Sequence, residues 1–372
     1  MSGFLDEVSI IKTLSGHNKP VFWVLVDDGK LYTTSFDVVK IWDISADYNL
    51  IATLDVQSDK NIDEAPMGGM PGTLAISGLK TSANKLYVST YDGYILVYDC
   101  SVSGEYKCIM NLPTDSIVCN DHSLSEYSQP IYSMAIDSES NCLYIGQNIH
   151  DSSTRPTRPV IKVYNINDRN DMDHIETLEQ HRGIVSSIVI GQGTYIDEKM
   201  KMMYSSSFDR TIIVWNLVDY SVLKTHYHLY GIDHLYYSHG MLYSASQDGI
   251  CIYDCNDGAG ENVCTIQNDD GRPYRMALDE SSNGGDGDGG SGDGKLYVRD
   301  LHKPGEIKIW NVARDTLFHP DGREYMNTKS KEEGDLLATL EGPINARPDL
   351  CVADNKLYCG GEENTVLVWR LR

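Results

Sequence analysis

Two sets of residues in this chain have the side-chain types of a hydrolytic triad. They are His17, Ser35 and Asp37, and His181, Ser207 and Asp209. In a triad the serine attacks, the histidine takes its proton, and the aspartate orients the histidine. A tryptophan follows each set, at Trp42 and Trp215, although a triad requires none. The residues therefore allow two interpretations, a hydrolytic site or a repeated structural set whose buried polar groups bind one another.

Two other stretches could bind a metal ion. Four histidines crowd into "THYHLYGIDHLYYSH", and "ESSNGGDGDGGSGDG" at 280–294 carries spaced aspartates. The first two histidines share a strand face, but the other two fall on the next strand among apolar neighbours. The aspartate-rich stretch lacks the terminal glutamate of an EF-hand loop, so it is typical of a flexible hairpin tip. Glycine-rich phosphate loops and reactive-cysteine signatures are also absent. We expect no metal and no cofactor.

Composition and charge narrow the class of protein. The chain has 372 residues, 41% of them hydrophobic, with 24 tyrosines and a formal net charge of −23. Abundant tyrosine, valine, isoleucine and threonine favour strands. Strong negative charge argues against nucleic acid or membrane as a general partner. There is no apolar run of membrane-spanning length and no signal-peptide order at the start, and the nine cysteines are an odd number. We expect a cytoplasmic protein, possible also in the nucleus, with reduced thiols.

The elements that must position these residues are seven copies of one unit. Each copy carries a Leu-Tyr or Met-Tyr pair, at 31, 86, 143, 203, 242, 296 and 357. Clear examples are "KLYTTSFDVVKIWDI" at 30, "KLYVSTYDGYILVYDC" at 85 and "MMYSSSFDRTIIVWNL" at 202. Apolar runs flank each copy, which gives four strands per unit. A four-stranded sheet of this size cannot cover both its faces, so the copies must pack against one another, as in a propeller.

These copies resemble the WD40-repeat family over essentially the whole chain, although Trp-Asp itself occurs only at Trp42-Asp43. The resemblance implies an all-β, seven-bladed propeller with four antiparallel strands per blade, forming one domain over 1–372. It also implies that the N-terminal strand completes the last blade, so Glu7–Leu14 should pair with Thr365–Arg370. Flexible or irregular insertions are expected at about 56–72, 113–129, 146–159, 280–294 and 313–334. The two histidine sets would then be structural tetrads with hydrogen bonds from His through Ser and Asp to Trp.

The same resemblance places candidate binding residues on the loops at one end of the ring, called the top. The aromatic and central candidates are Phe22, Phe36, Tyr91, Tyr132, Phe208 and Arg275. The cationic candidates are Lys19, Arg155, Arg158, Arg182, Arg210 and Arg272. Aromatic and arginine side chains anchor protein interfaces, but the rings could instead pack under neighbouring loops, and the cations could be scattered and solvated.

The predicted function is a noncatalytic scaffold that binds protein or peptide partners on this top face. We expect a monomeric propeller that acts within a larger complex. A second hypothesis is a substrate receptor for phosphorylated or acidic peptides, of the type associated with ubiquitin ligases or kinases, which needs the arginines to converge. A third, from another class, is a propeller enzyme, for which the sequence offers no repeated inward-facing carboxylates or histidines.

Overall fold

The structure is a computed structural model, and it describes most of the chain. The described residues are 8–59, 76–102, 104–114, 130–150, 157–166, 172–196, 198–247, 249–256, 260–266, 272–279, 294–303, 305–312, 329–331, 336–344 and 349–371. They form strands almost throughout, apart from one helical turn, α1 (Val56–Asp59), and a 3₁₀ turn at Glu362–Asn364. The predicted all-β class is confirmed.

The strands form seven sheets, numbered here in chain order. Sheet 1 contains β2 (Trp23–Asp27), β3 (Lys30–Thr34), β4 (Val38–Asp43) and β5 (Asn49–Asp55). Sheet 2 contains β6 (Ile76–Ser82), β7 (Lys85–Thr90), β8 (Tyr94–Val102) and β9 (Glu105–Pro113). Sheet 3 contains β10 (Ile131–Asp137), β11 (Cys142–His150), β12 (Thr157–Ile166) and β13 (Met172–Leu178). Sheet 4 contains β14 (Val185–Tyr195), β15 (Glu198–Ser207), β16 (Thr211–Asn216) and β17 (Val222–Tyr227).

The last three sheets depart slightly from this order. Sheet 5 contains β18 (Ile232–Ser238), β19 (Met241–Ser246), β20 (Gly249–Asp254) and β21 (Glu261–Ile266), followed by the added β25 (Lys329–Lys331). Sheet 6 contains β22 (Pro273–Asp279), β23 (Lys295–Asp300), β24 (Glu306–Asn311) and β26 (Leu336–Glu341). Sheet 7 contains β27 (Leu350–Ala353), β28 (Lys356–Gly360), β29 (Val366–Arg370) and β1 (Ser9–Leu14). Seven sheets with four antiparallel strands confirm the predicted seven-bladed propeller class.

The N-terminal strand completes sheet 7, as predicted. β1 runs antiparallel to β29, with Ser9 opposite Arg370 and Leu14 opposite Val366, and one irregularity between Ile10 and Lys12. This pairing supplies hydrogen-bond partners to the outer edge of β29, which would otherwise be open to other chains.

Four of the hairpins use the turn that a twisted sheet prefers. The two-residue turns Asp28-Gly29, Ala83-Asn84, His239-Gly240 and Asp354-Asn355 each have positive φ at both residues. Such turns match the right-handed twist of the flanking strands, and glycine and asparagine adopt positive φ most readily. These turns fix the register between the first and second strands of sheets 1, 2, 5 and 7.

The chain divides into two compact units. The smaller unit comprises Leu25–Ile188 and Ser207–Asp209, and the larger comprises Met1–Val24, Val189–Ser206 and Arg210–Arg372. In the smaller unit, Tyr87, Ile95 and Val97 of sheet 2 pack with Leu143 and Ile145 of sheet 3. In the larger unit, apolar side chains of sheets 5 and 6 form one cluster and those of sheets 6 and 7 form another. The core of each unit therefore lies between successive sheets.

The predicted insertions coincide only partly with described residues. Residues 60–75, 115–129, 151–156, 280–293, 313–328 and 332–335 lie outside the described part of the chain. Within 146–159, the described residues continue β11 and β12 as paired strands out to His150 and Thr157. Within 313–334, β25 pairs in parallel with β21, with Cys264 opposite Lys329 and Ile266 opposite Lys331. This fifth strand of sheet 5 was not expected, because four strands per sheet were predicted.

Candidate functional site

The histidine set of sheet 4 is a hydrogen-bonded structural group. His181 Nδ1 lies 3.0 Å from Asp209 Oδ2, and the Arg182 backbone N–H donates to the same oxygen at 2.7 Å. The side chains of His181 and Asp209 are only 2% and 11% exposed. A carboxylate with two such partners holds the loop before β14 against the turn after β15.

Ser207 joins this group in a different way from the one predicted. Its hydroxyl donates to the Gly183 carbonyl at 2.8 Å, and it accepts the Asp209 backbone N–H at 3.0 Å. The hydroxyl proton therefore points to a backbone carbonyl rather than to His181, so this set lacks the serine–histidine hydrogen bond of a triad. A Cβ on Gly183 would come within 2.7 Å of the Asp209 nitrogen, which requires glycine at this position.

The two tryptophans donate to hydroxyls two residues earlier than predicted. Trp215 Nε1 donates to Ser205 Oγ at 2.8 Å, not to Ser207. Trp42 Nε1 donates to Thr33 Oγ1 at 2.9 Å, not to Ser35. The predicted serine partners of both tryptophans were therefore wrong. The strand register explains the shift: Met203 lies opposite Trp215 and Leu31 opposite Trp42, so the nearest hydroxyls on the same face, two residues further on, are those of Ser205 and Thr33. Both hydroxyl partners could have been predicted from the sequence by aligning the two strands of the hairpin and taking the residue two positions beyond the one opposite the tryptophan.

The other members of the first set are described by their burial and backbone contacts. His17 and Ser35 are buried, and Asp37 is half-buried. The Ser35 backbone N–H donates to the Val38 carbonyl at 3.0 Å, and the Asp37 carbonyl accepts the Val56 N–H at 2.9 Å. These bonds fix the turn between β3 and β4 and the start of α1.

Three aromatic candidates occupy the same position in their sheets, directly before the aspartate of the turn between the second and third strands. Phe36 is half-buried, whereas Tyr91 and Phe208 are 38% and 47% exposed. Tyr91 packs edge-on against Tyr132, with ring centroids 6.0 Å apart and planes at 71°. Tyr132 is half-buried, and burial raises its pKa. All four residues belong to the smaller unit.

Arg275 and Phe22 lie in a separate cluster in the larger unit. The Arg275 guanidinium stacks over the rings of Trp23 and Tyr274, at 5.0 and 4.5 Å from their centroids. Its Nε lies 3.6 Å from Asp349 Oδ1, and the Asp349 backbone N–H donates to the Phe22 carbonyl at 2.8 Å. The side chains of Arg275 and Asp349 are 12% and 16% exposed, so this arginine is held in place by its own neighbours.

Several of the predicted cations are already paired with carboxylates. Arg272 makes a bidentate bond to Asp233, with Nε–Oδ2 at 2.8 Å and Nη2–Oδ1 at 2.7 Å. This hydrogen bond raises the pKa of Arg272, while burial raises that of Asp233. Arg158 pairs with Glu179 at 2.8 Å with both side chains about half exposed. Lys19, Arg182 and Arg210 are exposed, and Arg155 lies outside the described residues.

A group of exposed apolar side chains was missed by the sequence reasoning. They are Tyr227, the last residue of β17, and Leu229 and Tyr230, between β17 and β18, which are 81%, 76% and 45% exposed. They fall in the histidine-rich run, which drew attention to metal binding instead. In that run His228 Nε2 lies 2.7 Å from the Tyr253 hydroxyl, and His239 Nδ1 lies 2.7 Å from Ser238 Oγ.

The described part of the chain has neither a cluster of metal-binding side chains nor a membrane-spanning helix. There, no three His, Cys, Asp or Glu side chains come close enough together to hold a metal ion. In the same ranges no helix has the length and apolar character needed to cross a bilayer. The eight cysteines that the structure describes are free thiols.

Comparison with known proteins agrees with the fold. A family model described as "WD domain, G-beta repeat" matches residues 172–216, which span β13 to β16. No curated protein matches the chain. Among solved structures 1326 chains match, and one is the computationally designed Ika8 protein, 16% identical, with a TM-score of 0.57 over 97% of this chain and 99% of that chain. At this identity the likeness shows the fold alone. The WD-repeat match over residues 172–216 and the seven four-stranded sheets together support a WD40-repeat β-propeller.

Proposed function

We propose that the chain is a noncatalytic scaffold that binds protein or peptide partners through exposed aromatic side chains of the smaller unit. Propellers of this family generally bind protein partners. The surface proposed here consists of Tyr91 with its neighbour Tyr132, and of Phe208. They are the aromatic rings at the ends of sheets 2, 3 and 4.

The exposure of Tyr91 and Phe208 is the observation that carries the proposal. A ring left 38% or 47% exposed on a turn contributes little to the core, yet it can bury a large area against a partner. Hydrogen bonds hold both turns in place before any partner binds. The Tyr94 N–H donates to Thr90 Oγ1 at 3.0 Å on one side of Tyr91, and the Phe208 N–H donates to the Ile184 carbonyl at 3.0 Å. Preorganised anchors lose little conformational entropy on binding.

A receptor for phosphorylated or acidic peptides is the second candidate. It depends on arginines with free charge, and Arg158, Arg272 and Arg275 each have a carboxylate neighbour in Glu179, Asp233 and Asp349. The exposed Arg182 and Arg210 are the remaining described arginines that favour this hypothesis. We place it second because an anion would have to displace buried or paired carboxylates at the other sites.

Quantitative affinity purification from cells tests the first proposal. The wild type is compared with the double variant Tyr91→Ala, Phe208→Ala. Partners that bind this surface should be depleted at least about tenfold, since truncation of an interface aromatic costs ~2 kcal/mol or more.

The matched control is Val102→Ala, Val218→Ala. These side chains are also exposed, at 53% and 88%, but lie elsewhere, at the end of β8 and on the turn after β16. Both double variants should keep the wild-type melting temperature because neither removes a buried group. An unchanged partner set in the aromatic variant, with the fold intact, would show that these rings are not the interface.

A further inference from the structure

We propose that the outer edge of β9 in sheet 2, which pairs with no further strand among the described residues, is a separate binding site that accepts an extended lysine- or arginine-bearing peptide as an added strand. This site uses none of the aromatic residues proposed above. Its success or failure is therefore independent of the proposed interface at Tyr91 and Phe208.

A groove runs along β9. It measures about 580 Å³ and is lined by Asp59 and by the consecutive residues Glu105 to Asn111. β9 is the last strand of its sheet and pairs, within the described residues, with β8 alone. Such an edge presents backbone N–H and C=O groups to any extended chain that can reach them. With nine residues, β9 is also longer than the outer strands β5 and β17, which have seven and six.

The chain itself contains an example of the proposed pairing. β21, the outer strand of sheet 5, accepts β25 as a fifth strand through the register Cys264–Lys329, Thr265–Ser330 and Ile266–Lys331. The added segment has the sequence Lys-Ser-Lys. An outer strand of this fold can therefore take up a short extended segment, and the segment taken up is basic.

The charge around the groove favours a basic occupant too. The Tyr98 hydroxyl donates to Asp59 Oδ2 at 2.9 Å, and Asn111 Nδ2 donates to the Asp59 carbonyl at 3.4 Å, which together hold Asp59 at the groove wall. Burial and then the charge of Asp59 raise the pKa of Cys108, so this carboxylate acts on the groove lining. Asp59 and Glu105 outnumber the single cation Lys107 along the lining. A lysine or arginine of the added strand would lie against this excess of negative charge.

Nuclear magnetic resonance titration with a short synthetic peptide tests the site. The probe alternates valine or threonine with lysine, and two partner probes carry glutamate for lysine or N-methyl groups on every amide. The lysine probe should shift the amide signals of 105–111. The glutamate probe should bind at least about threefold more weakly because it meets like charge. The N-methylated probe should not bind, because it cannot complete a ladder.

Two substitutions of opposite effect complete the test. Asp59→Asn, in which the amide oxygen can still accept from Tyr98, should weaken binding of the lysine probe about three- to fivefold, the loss of one partly exposed ion pair. Lys107→Glu should strengthen it by a similar factor. Asp219→Asn, an exposed change on another sheet, is the matched control and should leave the affinity unchanged. The proposal is overturned if the lysine probe fails to bind at millimolar concentration, if it shifts signals elsewhere, or if the N-methylated probe binds equally well.

Discussion

Removal of the Asp209 carboxylate should destabilise the fold sharply. Asp209 accepts two hydrogen bonds, from His181 Nδ1 at 3.0 Å and from the Arg182 backbone N–H at 2.7 Å. The substitution Asp209→Ala leaves both donors without their acceptor. The imidazole is the more affected, because its side chain is only 2% exposed and water cannot readily replace the lost oxygen.

The expected loss can be worked out from these two bonds. A buried donor left unsatisfied costs about 1–3 kcal/mol. The backbone N–H of the exposed Arg182 falls at the low end of that range, and the His181 donor falls at the high end. Asp209→Ala should therefore lower the free energy of unfolding by about 2–4 kcal/mol.

Chemical denaturation followed by tryptophan fluorescence measures this difference. The control is Asp219→Ala: Asp219 also accepts two hydrogen bonds, from Ser221 N and Ser221 Oγ, but is exposed. Water can replace its bonds, so this change should have a much smaller effect. If both variants lost the same stability, the buried His181–Asp209 group would not contribute as described.

Three further changes test other parts of the fold. Deleting β1 should lower the melting temperature by several degrees in calorimetry, because burial of Leu14 alone contributes about 2 kcal/mol; an unchanged temperature would contradict the pairing with β29. Gly191→Ala should cost about 1–3 kcal/mol in denaturant unfolding, since its Cβ would lie 2.3 Å from the Tyr237 ring. Burial raises the pKa of Asp233 more than Arg272 lowers it, so the folded chain binds this proton more tightly than the unfolded chain. The stability of the wild type relative to Asp233→Asn should therefore rise as the pH falls through the folded pKa toward the unfolded value of about 3.9; a difference that is constant with pH would refute this.

The fold could be predicted because its signal is repeated. The Leu-Tyr or Met-Tyr pair lies in the second strand of every sheet, where Leu31, Leu86 and Leu357 are fully buried. Strands covered on both faces give continuous apolar runs. Because the same run recurs in every copy, the assignment of one strand supports the assignment of the equivalent strand in the others. The pairing of β1 with β29 was expected from the resemblance to WD40 propellers, in which the first strand usually completes the last blade, and the apolar pattern of the N-terminal residues fits an outer strand.

The fifth strand of sheet 5 had no such signal. β25 is Lys-Ser-Lys, with no apolar alternation, and only the edge of β21 makes it a strand. The strand propensity of these residues could not predict β25, because in short polar segments pairing with a neighbouring strand outweighs the propensity of the residues themselves.

The candidate site was predictable in its residue types but not in its contacts. Tyr91 and Phe208 were identified from their place before the turn aspartate, and they are exposed. The partners of Arg272 and Arg275 are Asp233 and Asp349, which lie on other sheets or loops. Sequence spacing does not show which distant carboxylate neutralises an arginine, so the proposed convergence of positive charge could not be judged before the structure.

The pairing of β1 with β29 has a consequence for biosynthesis. Ser9–Leu14 leaves the ribosome long before Val366–Arg370, so sheet 7 cannot close until nearly all of the described chain has been made. Until then β1 has no permanent partner and must be kept from joining the edge of another nascent chain. Chains truncated before Val366 and released from the ribosome should be more susceptible to protease and should depend more on chaperones than released chains that include Arg370.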